Sequence, residues 1–115
     1  MRLGVTCLLI FATLCNAHAQ SPQFERCTAC HSATEATRDL GPNLVGVFGR
    51  KAGSREDFRY SRALSRSGIV WDEQSLDAYL KTPEQFVPGN RMAFEGITSD
   101  VERAAIIQYL KTLKQ

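Results

Sequence analysis

The chain has 115 residues, with 14 Lys and Arg against 12 Asp and Glu, and 43% of its residues are apolar. That is enough for one small domain, and the composition excludes a disordered chain. A formal charge of +2, with no basic run and no interleaving of aromatic and basic residues, excludes a nucleic-acid binder.

Residues 1–19 carry one basic residue, Arg2, then an almost unbroken apolar run from Leu3 to Leu14, and end on Ala17-His18-Ala19. The run is too short to span a bilayer, which takes roughly 20 apolar residues. Its small-x-small ending fits a signal-peptidase site. Residues 1–19 are therefore expected to be a cleaved export signal, and residues 20–115 the folded domain, periplasmic and without a stable membrane anchor. An uncleaved anchor is the rival reading. A lipoprotein through Cys15 is weaker, because Leu14 is bulky where a small residue is expected. Without this segment the chain keeps one histidine (His31), one methionine (Met92), one tryptophan (Trp71) and two cysteines (Cys27 and Cys30).

Ser21 and Pro22 read as a cap and first helical residue, opening a short helix through about Ser32. Residues 39–53 hold four glycines and Pro42 with no helical period, which predicts a loop. A brief helix is expected near Ser61–Arg66, closed by Gly68. Asp72 can cap the next one, with Leu76, Tyr79 and Leu80 on one face and Pro83 ending it. Phe86 to Gly96 is a second irregular stretch with a Pro88-Gly89 turn. Ser99-Asp100-Val101-Glu102 has the capping-box pattern, followed by Ile106, Tyr109, Leu110 and Leu113 at helical spacing. No stretch alternates as a strand should. The expected fold is all-α, with three to four short helices and long glycine-rich loops. Loops of this length are uncommon in so small a domain unless something organises them, and a large rigid cofactor would do so.

Cys27-Thr28-Ala29-Cys30-His31 is a C-x-x-C-H haem c attachment pattern. On a helix, positions i, i+3 and i+4 share one side. Two thiols there can add across the two vinyl groups of a haem while the imidazole reaches its iron. A Cys27–Cys30 disulfide is the alternative in an oxidising compartment. A thioredoxin-like pair would need a βαβ context that is not visible. A structural zinc site needs four ligands, and the domain offers two cysteines and one histidine. Met92 sits in an irregular loop after Pro88-Gly89. It is either a gap-filling core residue or the second axial ligand, an arrangement that sets haem potential in many proteins.

These features resemble a bacterial class I cytochrome c of the mitochondrial-like type. The resemblance covers nearly all of residues 20–115, carried by 27–31, 41–53, 60–71 and 76–97. The matching strings are CTACH, GPNLVGVFGRKAG, IVWDEQSLDAYL and VPGNRMAFEGI, in the family's order and spacing. It implies one haem c, covalent through Cys27 and Cys30, wrapped by the helices and loops. His31 would be its proximal ligand and Met92 the distal one. The carbonyl beside His31, at Pro42, would accept the imidazole Nδ1–H. Tyr79 would donate to the Met92 sulfur. Arg50, Tyr60 and Trp71 would hold the propionates, and Phe94 would shield the haem edge. Two departures stand out near the site. Leu64 occupies a position where the family often has asparagine, and Asn90 replaces the usual threonine before the methionine. The family's N-terminal helix is shortened to about two turns.

The implied function is a soluble, monomeric one-electron carrier, not an enzyme, cycling iron between +2 and +3. It would dock transiently on redox proteins such as membrane-bound or periplasmic oxidases, reductases or dehydrogenases. The alternatives are a haem enzyme or gas-binding sensor with a labile methionine, or a dedicated cytochrome subunit of a dehydrogenase or oxidase complex.

Overall fold

The computed structural model describes residues 21–34 and 40–114. The expected export signal, with Cys7 and Cys15, lies outside the described residues. The described chain contains four α-helices: α1 (Arg62–Ser65), α2 (Glu73–Lys81), α3 (Pro83–Phe86) and α4 (Asp100–Thr112). The all-α expectation holds, and the only β-type pairing among the described residues is a lone antiparallel bridge between Lys51 and Val70. No helix among them is long and apolar enough to cross a membrane.

The first element is not the α-helix that Ser21-Pro22 suggests. Pro22–Cys27 is a 3₁₀ segment, and the residues to His31 follow it as hydrogen-bonded turns. Its backbone bonds close three residues back, as from Phe24 N to the Ser21 carbonyl at 2.8 Å and from Thr28 N to the Glu25 carbonyl at 3.1 Å. Thr28 also donates its hydroxyl to the Glu25 carbonyl at 2.7 Å, drawing on an acceptor that a longer helix would use.

The next helices follow their local signals. Ser61 caps α1 by accepting from Leu64 N. Asp72 caps α2 in a reciprocal box with Ser75, and α2 buries Leu76, Tyr79 and Leu80 as its period requires. Pro83 ends α2 but also starts α3, since a proline at the first helical position gives up an N–H that has no partner there anyway.

Helix α4 begins at Ser99, whose hydroxyl accepts from Glu102 N. The expected box is only half formed, because the Glu102 carboxylate pairs with Arg26 of the 3₁₀ segment instead. Phe24, fully buried, meets Tyr109 with ring centroids 4.7 Å apart. The shortened N-terminal segment thus still packs on α4. The same face of α4 buries Arg103, where the helical period points inward but the charge argues against the core. Its guanidinium donates to the Ile97 and Thr98 carbonyls at 2.8 and 3.0 Å and pairs with Asp77 and Asp100. Those contacts tie α4 to α2 and to the end of the second long loop.

Candidate functional site

Between the loops and α2 and α4 lies a cleft of about 840 Å³, within the range of roughly 300–1,000 Å³ for sites that enclose a cofactor. Phe24, Leu44, Leu64, Leu80, Ile106 and Leu110 give it apolar walls. All eleven site residues expected from sequence line this cleft. They come from five separate stretches of chain, so the fold performs the convergence that spacing could only suggest.

Cys27, Cys30 and His31 enter on one tight turn. The Cys27 carbonyl accepts from both Cys30 N and His31 N, at 3.2 and 2.9 Å, which sets the two thiols and the imidazole around a single bend. Both cysteines are free thiols, so the disulfide alternative is not what the structure contains. Burial pushes the Cys27 thiol up, partly opposed by Arg26.

His31 is held in one tautomer. Its Nδ1 lies 2.8 Å from the Pro42 carbonyl oxygen, and a carbonyl can only accept, so Nδ1 carries the proton. Nε2 then keeps its lone pair. Burial lowers the imidazole's pKa, against the raising effect of the Pro42 bond, so the neutral form that binds a metal is favoured. Gly41 is what lets the loop come so close. A Cβ there would lie 2.8 Å from His31 Nδ1 and Cε1 and 2.9 Å from the Cys30 carbonyl. Sequence reading missed this role, although a glycine directly before Pro42 was the available signal.

Met92 also lines the cleft. Its N–H donates to Asn90 Oδ1 at 3.0 Å, and Arg91 reaches across to the Tyr60 carbonyl at 2.9 Å, closing the loop against residue 60. The Tyr79 hydroxyl bonds to Asn90 Oδ1 at 3.4 Å, one residue-pair removed from the sulfur expected from the resemblance. Burial, helped by the Glu84 charge, pushes Tyr79 up to about 12, so it stays a neutral donor. Phe94 is half-buried beside Met92.

At the third side stand Arg50, Tyr60 and Trp71. Arg50 donates to the Val45 and Asn43 carbonyls at 2.9 and 3.2 Å and interacts with the Tyr60 hydroxyl, while burial pulls its pKa down. A half-buried cation whose hydrogen-bond partners are neutral, with Asp57 the nearby opposite charge, is suited to an anion. The Trp71 ring lies 5.0 Å from Tyr79, and its indole N–H has no hydrogen-bond partner among the described residues. Every fully buried side-chain nitrogen and oxygen among them is partnered, so this N–H faces open space, and the cleft is the space that Trp71 lines.

The donor set fits a haem c. Two thiols at C-x-x-C spacing, an imidazole with a free Nε2 and a thioether line a largely apolar cleft, beside an arginine, a tyrosine and an indole able to meet carboxylates.

Comparison with known proteins points the same way. The family model for cytochrome c matches residues 20–114. Cytochrome c2 iso-2 of Magnetospirillum fulvum is 45% identical over 92 residues, covering 80% of this chain and 96% of that protein. Cytochrome c of Trypanosoma brucei brucei is 47% identical over 83 residues, covering 72% and 89%. The solved structure of cytochrome cH from Methylobacterium extorquens superposes with a TM-score of 0.73 at 41% identity, covering 78% of this chain and 91% of that one.

Proposed function

Given that the chain belongs to the cytochrome c family, we propose how its own residues serve one-electron transport. It is a haem-bearing one-electron carrier with a single haem c attached through cysteine. When bound, that group supplies a reversible Fe(II)/Fe(III) couple.

In this reading Cys27 and Cys30 would tether the macrocycle, and His31 Nε2 and Met92 Sδ would be the two protein ligands of its iron. The Pro42 carbonyl keeps the imidazole in the ligating tautomer and raises its basicity. Met92, a soft ligand in an apolar setting, favours the reduced state and raises the potential. Arg50, Tyr60 and Trp71 bind the propionates, neutralising charge that an apolar cleft would otherwise carry at high cost. Phe94 and the aliphatic walls exclude water. With both ligands supplied by the protein, the iron would be left no position for a substrate, which favours a carrier over an enzyme. The same two residues would serve both oxidation states, so little reorganisation of the protein would accompany transfer.

Export rests on residues 1–19, whose charge, apolar length and Ala17-His18-Ala19 ending suit a cleaved signal. The site of action is then the periplasm, and the partners are redox proteins that dock briefly on the exposed edge near Cys27, Arg91 and Phe94. The observation that carries the ligand assignment is the His31 Nδ1–Pro42 bond, which frees Nε2 toward the cleft that Met92 lines.

An optical and redox titration of exported protein tests this reading. One one-electron wave is expected, with the weak long-wavelength band of methionine-bound ferric haem and one haem's mass on the Cys27–Cys30 peptide. Rapid binding of carbon monoxide by the reduced protein at neutral pH would overturn the assignment of Met92.

A further inference from the structure

The loop that presents Met92 is held by two side chains, one of which lies outside the expected site. Asn90 is the hub. Its Oδ1 accepts from Met92 N at 3.0 Å and from the Tyr79 hydroxyl at 3.4 Å. Its Nδ2 donates to the Val87 carbonyl at 3.0 Å and to Glu84 Oε2 at 3.3 Å. All four partners match the polarity of this orientation. A flipped amide would set its NH₂ against the Met92 N–H and its oxygen against a carbonyl and a carboxylate.

Glu84 supplies what fixes that orientation. It lies in the single turn α3, directly after Pro83, and uses both carboxylate oxygens on the loop. Oε1 accepts from Gly89 N at 3.0 Å while Oε2 takes the Asn90 amide. Both bonds go to a charged acceptor and are stronger than neutral ones. The carboxylate therefore spans the Pro88-Gly89 turn and aligns the amide that grips the methionine's backbone. Pro83 is itself fully buried, so the base of the clasp is anchored. Gln85, next along α3, is exposed and makes no side-chain hydrogen bond among the described residues.

We propose that Glu84 is a positioning residue for the methionine ligand: it clasps Gly89 and Asn90, and through Asn90 Oδ1 it keeps Met92 seated over the cleft. The proposal rests on the reading of Met92 as an iron ligand. It predicts that opening of the methionine loop is limited by this clasp and not by global unfolding.

The test uses the oxidised holoprotein with imidazole as the competing ligand, and reads the rate at which the methionine band is lost. Glu84→Ala should exchange about tenfold faster than wild type, the size expected for losing charge-assisted bonds at a partly solvated site. Glu84→Gln, able to keep one acceptor, should fall between the two. Gln85→Ala should exchange as wild type does, and adding Glu84→Ala to Asn90→Ala, where only the Gly89 bond is left to lose, should accelerate exchange by less than Glu84→Ala does alone. Guanidinium midpoints should stay close to wild type in Glu84→Gln and Glu84→Ala. A wild-type protein lacking the methionine band would sink the ligand reading itself. A wild type that shows the band, with Glu84→Ala exchanging no faster, overturns the clasp. So does acceleration that merely tracks a lowered guanidinium midpoint.

Discussion

Truncating Phe24 to alanine probes whether a six-residue 3₁₀ segment can be anchored by one ring. The side chain is fully buried, and it packs on Tyr109 at 4.7 Å with the rings tilted 52°. Ile106, 1% exposed, shares its core cluster. Phe-to-Ala changes in cores cost about 3–5 kcal/mol through lost transfer energy and the cavity left behind. The lower end applies here, because a segment this short can sag toward α4 and refill part of the hole. We expect a loss of about 3 kcal/mol, or a melting temperature lower by at least ~12 °C for a domain of this size. Phe24→Leu, which keeps most of the volume, should lose about 1 kcal/mol. The assay is guanidinium unfolding of the holoprotein followed by far-ultraviolet circular dichroism. A loss of less than about 1 kcal/mol in both variants would mean that packing on α4 does not hold the segment.

Gly41→Ala would push a methyl group into the His31 ring and the Cys30 carbonyl. It should cost about 1–3 kcal/mol and alter the ferric spectrum, whereas an unchanged spectrum and midpoint would mean the loop moves aside freely. Gly96→Ala faces a harder obstacle, since its Cβ would collide with the Lys81 carbonyl at a φ of +111°. A loss of about 3 kcal/mol or more is expected, measured by the same unfolding curve. Bonds from the Ser75 backbone and hydroxyl hold the Asp72 carboxyl below the usual aspartate range. Its stabilising effect is thus present above the unfolded value of about 3.9 and is lost as pH falls through the lower folded value. Asp72→Ala should lower the midpoint at pH 7 and decline less steeply than wild type on acidification, and parallel curves for the two proteins would refute this.

Helices α2 and α4 were legible because their signals are local. Asp72, Ser75 and Ser99 cap within their own turns, and Leu76, Tyr79, Leu80, Ile106 and Leu110 repeat at the helical period. The haem-attachment pattern was equally plain, since its chemistry is fixed by spacing within five residues. What sequence could not give depends on contacts far along the chain. Arg103 reads as a polar interruption of an apolar face until Asp77 and the Ile97 and Thr98 carbonyls are brought to it. Glu102 looks like the second half of a capping box, but Arg26, distant in sequence, claims its carboxylate. Tyr79 could have pointed its hydroxyl at the methionine sulfur, and the amide of Asn90 stands there as its partner. Pro83 carries a stop signal in sequence, although the same fixed φ that ends one helix can open another.

The loop bearing Met92 is welded at both margins. Upstream, Pro83 is sunk in the core. Downstream, Ile97 N bonds to the Leu80 carbonyl at 2.8 Å, and the Arg103 guanidinium grips the next two carbonyls. A hinge bounded in this way can release its sulfur without unravelling α2 or α4. Excursions of Met92 would therefore stay confined to a dozen or so residues, and the rest of the surface would keep its shape while they occur.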